Sequence, residues 1–364
     1  MLAEGIMKKF AYVLVVLFVV IVGSAFWITQ NTGQISQDAS LKSLSIVFDW
    51  TPNTNHTGIY VALANKWYEE EGIALTILPY GSVSPDILVS AGKAEIGISS
   101  TEAVVADAAA GAPVVSVAAI VAHNTSSLAV RKDSGITRPA ELEGKIYGGY
   151  GAPYEKPVIG TIIRSDAPNG HSQFSNAVYG KENLVEGKGT FKNVILDTEV
   201  FEALRAKRID FTWIFDAWQG VQAKREGLEL TTFPINKYGI PDYSTPNIIT
   251  SPETLATKKE SLRKFMRATA RGYEYTRRNP REAAQMLIDG ALSGTFPDEG
   301  LVFESQEYLS PRYADEGKPW GVQSEASWRE YPLFMLANDA VFDASGNVVK
   351  ALDLDALYTN ELLP

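Results

Sequence analysis

Phe48-Asp49-Trp50-Thr51-Pro52-Asn53-Thr54-Asn55-His56-Thr57-Gly58-Ile59-Tyr60 is the stretch whose reading decides the fold. Leu44 to Phe48 alternates apolar and polar residues, as a half-buried strand does, and Thr57 onward reads as a helix. The residues between are nearly all polar or aromatic. In an α/β sheet, the loop leaving the carboxyl end of a strand is where ligands bind. Asp49, Asn53, Asn55 and His56 offer hydrogen-bonding groups, Trp50 a flat apolar face, and Tyr60 a ring with a polar tip. The same stretch also reads as a plain turn with an Asn or Thr cap on the following helix.

Outward from this stretch, short apolar runs alternate with helical stretches, the mark of βαβ architecture. Strands are expected at Leu75–Leu78, Ile96–Ser99, Val114–Val121 and Ser127–Val130. Helices are expected from Thr57 to near Glu71-Gly72 and at Ser84–Ala91 closed by Gly92, and an Ala-rich helix to Ala110 follows Ser100-Thr101-Glu102. Leu142 to Gly149 ends a strand in glycines, and Pro153 opens a helix through Ile163. Asp166 to Lys188 is aperiodic and reads as surface loop. Val194–Leu196 and Ile209–Phe215 read as strands flanking a Val200–Lys207 helix. Pro246–Thr250 reads as a strand returning to the first half of the chain. Leu262, Phe265, Thr269, Tyr273 and Thr276 recur at helical spacing, and Asn279-Pro280 ends that helix.

At 364 residues the chain is long enough for two domains. A net charge of −10, without a basic block, argues against nucleic acid and anionic membrane surfaces as partners. No cysteine is present, which removes thiolate metal sites, disulfides and cysteine nucleophiles. His123 and His171 lack metal-ligand spacing, and no metal motif stands out. Neither a phosphate loop of diagnostic form nor a Ser-His-Asp set is found, so no catalytic residue, metal or cofactor is expected. Phe10–Ile28 is uncharged and follows Lys8-Lys9. It reads either as a signal peptide cleaved near Gly23-Ser24-Ala25 or as an uncleaved membrane anchor. Residues 31–43 read as a flexible tether.

Asp49-Trp50-Thr51-Pro52-Asn53-Thr54-Asn55-His56 resembles the D/N-W-x-P-x-x-x-H opening motif of the thiamine-pyrimidine-precursor branch of the periplasmic binding proteins, the family that includes the fungal pyrimidine synthases. Gly151 to Lys156 is similar to its G-x-x-x-E-K segment, and Thr359-Asn360-Glu361-Leu362-Leu363-Pro364 to its ending. The resemblance covers Leu44 to Pro364. It implies a type II periplasmic binding protein: α/β, with two lobes and a ligand cleft between them. Residues 1–30 would then be signal or anchor, 44–130 and 245–364 the first lobe, and 131–244 the second.

On that reading four loops at strand carboxyl ends line the cleft, and the ligand-binding set is Asp49, Trp50, Asn55, His56, Tyr60, Glu102, Tyr150, Glu155, Trp213, Asp216 and Tyr243. Several of these have a plainer role open to them. Glu102 and Glu155 also suit the first turn of a helix as dipole partners, Asp216 suits an N-cap, and Trp213 suits a core. The implied function is the extracytoplasmic receptor of an ABC importer, a monomer working with a permease and an ATPase. The implied ligand is a hydroxymethyl-, aminomethyl- or formylaminomethyl-pyrimidine. Riboflavin is the alternative ligand on the same fold, while the sulfonate and nitrate receptors that share it suit an acid-rich cleft poorly. An enzyme of pyrimidine synthesis is the alternative of another class. The fungal synthases rely on an iron site with a cysteine-rich motif, which a chain without cysteine cannot supply. His56 is accordingly read as a hydrogen-bonding or packing residue.

Overall fold

The computed structural model describes residues 41–165, 189–196 and 200–364, and Lys42–Pro364 form one compact unit. The Phe10–Ile28 run, the tether up to residue 40, the Asp166–Lys188 loop and His171 lie outside the described residues. Among the described residues no helix is long and apolar enough to cross a membrane.

Among the described residues, two five-stranded sheets organise the fold. The first holds β1 (Lys42–Val47), β2 (Ile73–Leu78), β3 (Ile96–Ser99), β4 (Val115–Ala119) and β10 (Asn247–Thr250), in the order β2-β1-β3-β10-β4. The second holds β5 (Ser126–Arg131), β6 (Ile146–Gly149), β7 (Lys192–Ile195), β8 (Phe211–Phe215) and β9 (Leu230–Pro234), in the order β7-β6-β8-β5-β9. β1 runs parallel to β2 and β3, whereas β10 returns antiparallel between β3 and β4. The chain therefore crosses between lobes twice, from β4 to β5 and from β9 to β10.

Most elements follow the apolar pattern, and three departures have local causes. The tether stops sooner than expected, because Lys42 and Ser43 pair with Ile73 and Ala74 and extend β1 past its apolar residues. The first helix is broken: Thr57–Ala64 ends where Lys66 adopts φ 58°, and Trp67–Glu70 starts a separate turn. Trp67 still reaches the core at 8% exposure, so the break turns the chain without losing that anchor. β9 is the third. Leu-Thr-Thr-Phe-Pro carries one buried side chain, Phe233, and is a strand because β5 supplies its backbone partners.

Ile46, Ile59, Ile98, Phe265 and Tyr273 share the first lobe's core. A second cluster joins Val47 and Val104 of the first lobe to Ile159, Trp213 and Phe233 of the second, with Tyr243 and Tyr331 among them. The lobes thus share buried surface beside the crossings. At another flank, Arg225 donates a bidentate pair to Asp298 at 2.8 Å and a third bond to Glu304.

His123 lies on the first crossing. Its Nδ1 faces Asp242 on the second crossing at 2.5 Å, and its Nε2 faces Asp315 at 2.7 Å. Lys318 holds the other Asp315 oxygen. Only an imidazolium can donate to both carboxylates. The bond to Asp242, assisted by Asp315 and opposed by partial burial, pushes the His123 pKa up to about 9. A raised folded-state pKa contributes stability below the unfolded value of about 6.5 and loses it as pH rises through 9. Wild type is therefore expected to melt above His123→Gln at pH 6, with the gap shrinking toward zero by about pH 10. A gap independent of pH in thermal unfolding would refute the imidazolium bridge. The side chain is 55% exposed, so the gap is expected to be small.

Candidate functional site

The opening loop is built to hold its own shape. Asn53 Oδ1 accepts from the Asn55 N–H at 2.9 Å, and the Asn53 N–H donates to His56 Nδ1 at 3.2 Å. Because Nδ1 accepts, the ring proton sits on Nε2, which donates to Asp49 Oδ1 at 2.9 Å. The His56 ring stacks on Phe48 at 4.2 Å and is fully buried. Tyr273 donates to the Asn55 carbonyl at 2.6 Å and Tyr313 to that of Thr54 at 2.5 Å. Both ring nitrogens of His56 are thereby engaged within the helix-entry turn, while Asn55 contributes its backbone N–H and carbonyl to it. Tyr60 belongs to the core: it is 6% exposed and packs on Phe48, and burial pushes its hydroxyl up to about 12. Asp49 and Trp50 are what the loop presents outward. Trp50 is 42% exposed, and its ring meets Tyr80, from the loop after β2, at 5.3 Å.

Glu102 is the second residue of the Thr101–Ala110 helix, whose N-cap Ser100 accepts from the Ala103 N–H at 3.1 Å. The helix start turns Glu102 inward, where it is 4% exposed. Its Oε1 accepts the hydroxyls of Tyr243 and, at 3.3 Å, Tyr331. Those two rings stack at 3.7 Å. Burial raises the Glu102 pKa and the tyrosine hydroxyls oppose it. From the second lobe, Tyr154 approaches: burial and then the Glu102 and Glu155 carboxylates hold its hydroxyl well above the ordinary value. Tyr154 in turn meets Trp213 edge-on at 6.1 Å. Glu102 and Tyr243, chosen from sequence, therefore meet directly, Tyr331 joins them, and Trp213 is linked to the group through Tyr154. Nothing in the local sequence marks Tyr331, which sits inside the Glu325–Ala337 helix.

Glu155 serves its own loop. Oε1 accepts Tyr147 OH at 2.8 Å and Tyr150 N–H at 3.0 Å, while Oε2 accepts Gly151 N–H at 2.7 Å and Ala152 N–H at 2.9 Å. This brace, on a residue 3% exposed, leaves Tyr150 and Phe215 as the exposed rings at the carboxyl ends of β6 and β8. Phe215 was not chosen from sequence. Asp216 follows it, half-buried, and accepts from Ser127 Oγ at 3.1 Å. Burial pushes its pKa up to about 6, against Ser127 and Arg312.

One acidic pair escaped the sequence. Asp86 accepts from Ser99 Oγ and lies against Asp107. Burial first, then the Asp86 charge, push Asp107 up to about 8, and burial raises Asp86 as well. Among the described residues no group of His, Asp and Glu could hold a metal ion.

Comparison with known proteins bears on what these rings and carboxylates serve. The family model described as NMT1/THI5 like matches residues 53–283. The formylaminopyrimidine-binding protein of Halalkalibacterium halodurans is 27% identical over 338 residues, covering 92% of this chain and 95% of the relative. A 4-amino-5-hydroxymethyl-2-methylpyrimidine phosphate synthase of Legionella pneumophila is 27% identical over 254 residues, 68% of this chain and 74% of the relative. Among solved structures, the alkanesulfonate-binding protein SsuA of Xanthomonas axonopodis pv. citri, bound to MOPS, aligns with a TM-score of 0.60 at 13% identity. That alignment covers 87% of this chain and 98% of the other. The periplasmic nitrate-binding protein NrtA of Synechocystis PCC 6803 gives a TM-score of 0.59 at 10% identity, covering 88% and 87%. At such identities the likeness is one of fold, that of two-lobed periplasmic binding proteins.

Proposed function

Since this chain belongs to the NMT1/THI5-like family, we propose that it is the extracytoplasmic solute receptor of an ABC importer and binds a thiamine pyrimidine precursor between its lobes. The carrying observation is the meeting of Glu102, Tyr243 and Tyr331 with Tyr154 and Trp213 of the second lobe, a buried acid walled by rings. Such a site suits a flat heterocycle bearing N–H groups. Each ring pair contributes about 0.5–1.5 kcal/mol beyond area burial, and a carboxylate accepts from ring amines. The exposed rings Trp50, Tyr80, Tyr150 and Phe215 stand at strand carboxyl ends of the two sheets, where ligands enter α/β folds. The similarity to the formylaminopyrimidine-binding protein, nearly end to end in both chains, supports a receptor over the synthases, whose match is shorter.

In this role the chain catalyses nothing. It works as a monomer that passes its ligand to a permease driven by an ATPase, held outside the membrane by its N-terminal segment.

Titration with 4-amino-5-hydroxymethyl-2-methylpyrimidine is expected to quench tryptophan fluorescence and raise the melting temperature, because a ligand stabilises by mass action. Trp50→Ala is expected to weaken binding about two- to tenfold, the scale of one lost ring contact. Micromolar binding of riboflavin with no response to the pyrimidine would transfer the assignment to a flavin receptor.

A further inference from the structure

Among the described residues, Glu102 Oε2, Asp107 Oδ2, Asn247 Oδ1 and Gln306 Oε1 are buried without a hydrogen-bond partner. Three of these side chains are held within the first lobe. Gln306 is anchored through its N–H groups by Ser310 and Tyr313, Asn247 by the bond it donates to Thr101, and Asp107 lies against Asp86. Glu102 differs, because its neighbours come from both lobes and are rings.

The two oxygens of Glu102 are unequal. Oε1 receives the Tyr243 and Tyr331 hydroxyls, which fills its lone pairs and fixes the carboxyl plane. Both hydroxyls are held far above their ordinary pKa, chiefly by burial, so they remain donors. Besides the tyrosines, Glu102's own N–H and the Ser100 hydroxyl come near enough to oppose the effect of burial, but neither reaches Oε2 in hydrogen-bond geometry, although a buried orphan acceptor is costly. Tyr154 carries a hydroxyl and Trp213 an indole N–H, yet neither donates to Oε2. The unpaired oxygen lies at the centre where the ligand is placed above.

We propose that Glu102 Oε2 reads the ligand's hydrogen-bond pattern by accepting an N–H from a ring amino group, so that the cleft takes amino-substituted pyrimidines and rejects their oxo counterparts. This rests on the pyrimidine reading of the previous section and adds the basis of selection. An oxo group would set acceptor against acceptor at a buried oxygen, leaving both unpaired. Sites built around one buried polar group discriminate strongly for that reason.

The experiment is calorimetric titration of the full-length protein in detergent micelles with 4-amino-5-hydroxymethyl-2-methylpyrimidine and with the same ring carrying oxo in place of the 4-amino group. Wild type is expected to favour the amino ring by roughly ten- to a hundredfold. In Glu102→Gln the amide keeps the shape, accepts the tyrosines through its oxygen and turns an N–H toward the ring. That ratio should then fall to about one or invert. Gln285→Ala, on the exposed side of the Pro280–Gly290 helix, should keep the wild-type preference. Equal wild-type affinities, a wild-type preference for the oxo ring, or an unchanged ratio in a folded Glu102→Gln would each overturn the role of Glu102 while the pyrimidine reading stands. Binding of riboflavin with neither pyrimidine bound would overturn both.

Discussion

Gly272→Ala is expected to cost about 3 kcal/mol or more of unfolding free energy, although it adds a single carbon inside a helix where alanine is normally favoured. Gly272 lies in the Lys259–Arg278 helix, which packs across Thr57–Ala64. A β-carbon there would stand 1.9 Å from the Gly58 carbonyl oxygen, and one on Gly58 would stand 2.4 Å from the Tyr273 ring. The obstacle at Gly272 is backbone, so no side-chain rotation relieves it. Separating the helices would draw Tyr273 away from the Asn55 carbonyl and loosen the loop that presents Asp49 and Trp50. Urea unfolding followed by tryptophan fluorescence is the measurement. Gly81→Ala, with nothing within 4 Å of the added carbon, should stay within about 0.5 kcal/mol of wild type. A Gly272→Ala protein as stable as that control would disprove the close backbone contact.

Glu155→Ala should rank next, at about 2 kcal/mol, since it strands one buried donor and three part-buried ones. Tyr147 OH and the N–H groups of Tyr150, Gly151 and Ala152 lose their common acceptor. Glu155→Gln should recover only part of the loss, because its NH₂ would face one pair of donors. Ligand affinity should fall together with stability, through a loosened Tyr150. A folded Glu155→Ala protein with wild-type stability but much weaker binding would instead make Glu155 a direct ligand contact, the other role its sequence allows.

The outcome at these positions shows how far each kind of information reaches. Element identity was legible where it depends on neighbours along the chain. Alternation and helical spacing place Ile96–Ser99 with the bounds found, and the Ala-rich helix after it with its end at Ala110. Proline and glycine signals mark most of the other ends, and the Asp49–His56 motif points to the family. β9 was missed because its apolar signal is weak and its partner strand is far away in sequence.

At the candidate site, sequence determined which residue types stand at strand carboxyl ends, and hence that a polar, aromatic ligand surface was available. It could not decide which atoms remain for a ligand. Asp49, His56, Glu102 and Glu155 look alike as loop or first-turn groups, yet His56 and Glu155 are saturated by their own turns while Glu102 keeps one oxygen unpaired. That difference arises from Tyr243 and Tyr331, the latter 229 residues from Glu102. His123 likewise becomes a bridge only because both crossings pass beside Asp315. Hydrogen bonds form or fail over a few tenths of an ångström, and only the packing of distant segments fixes distances so finely.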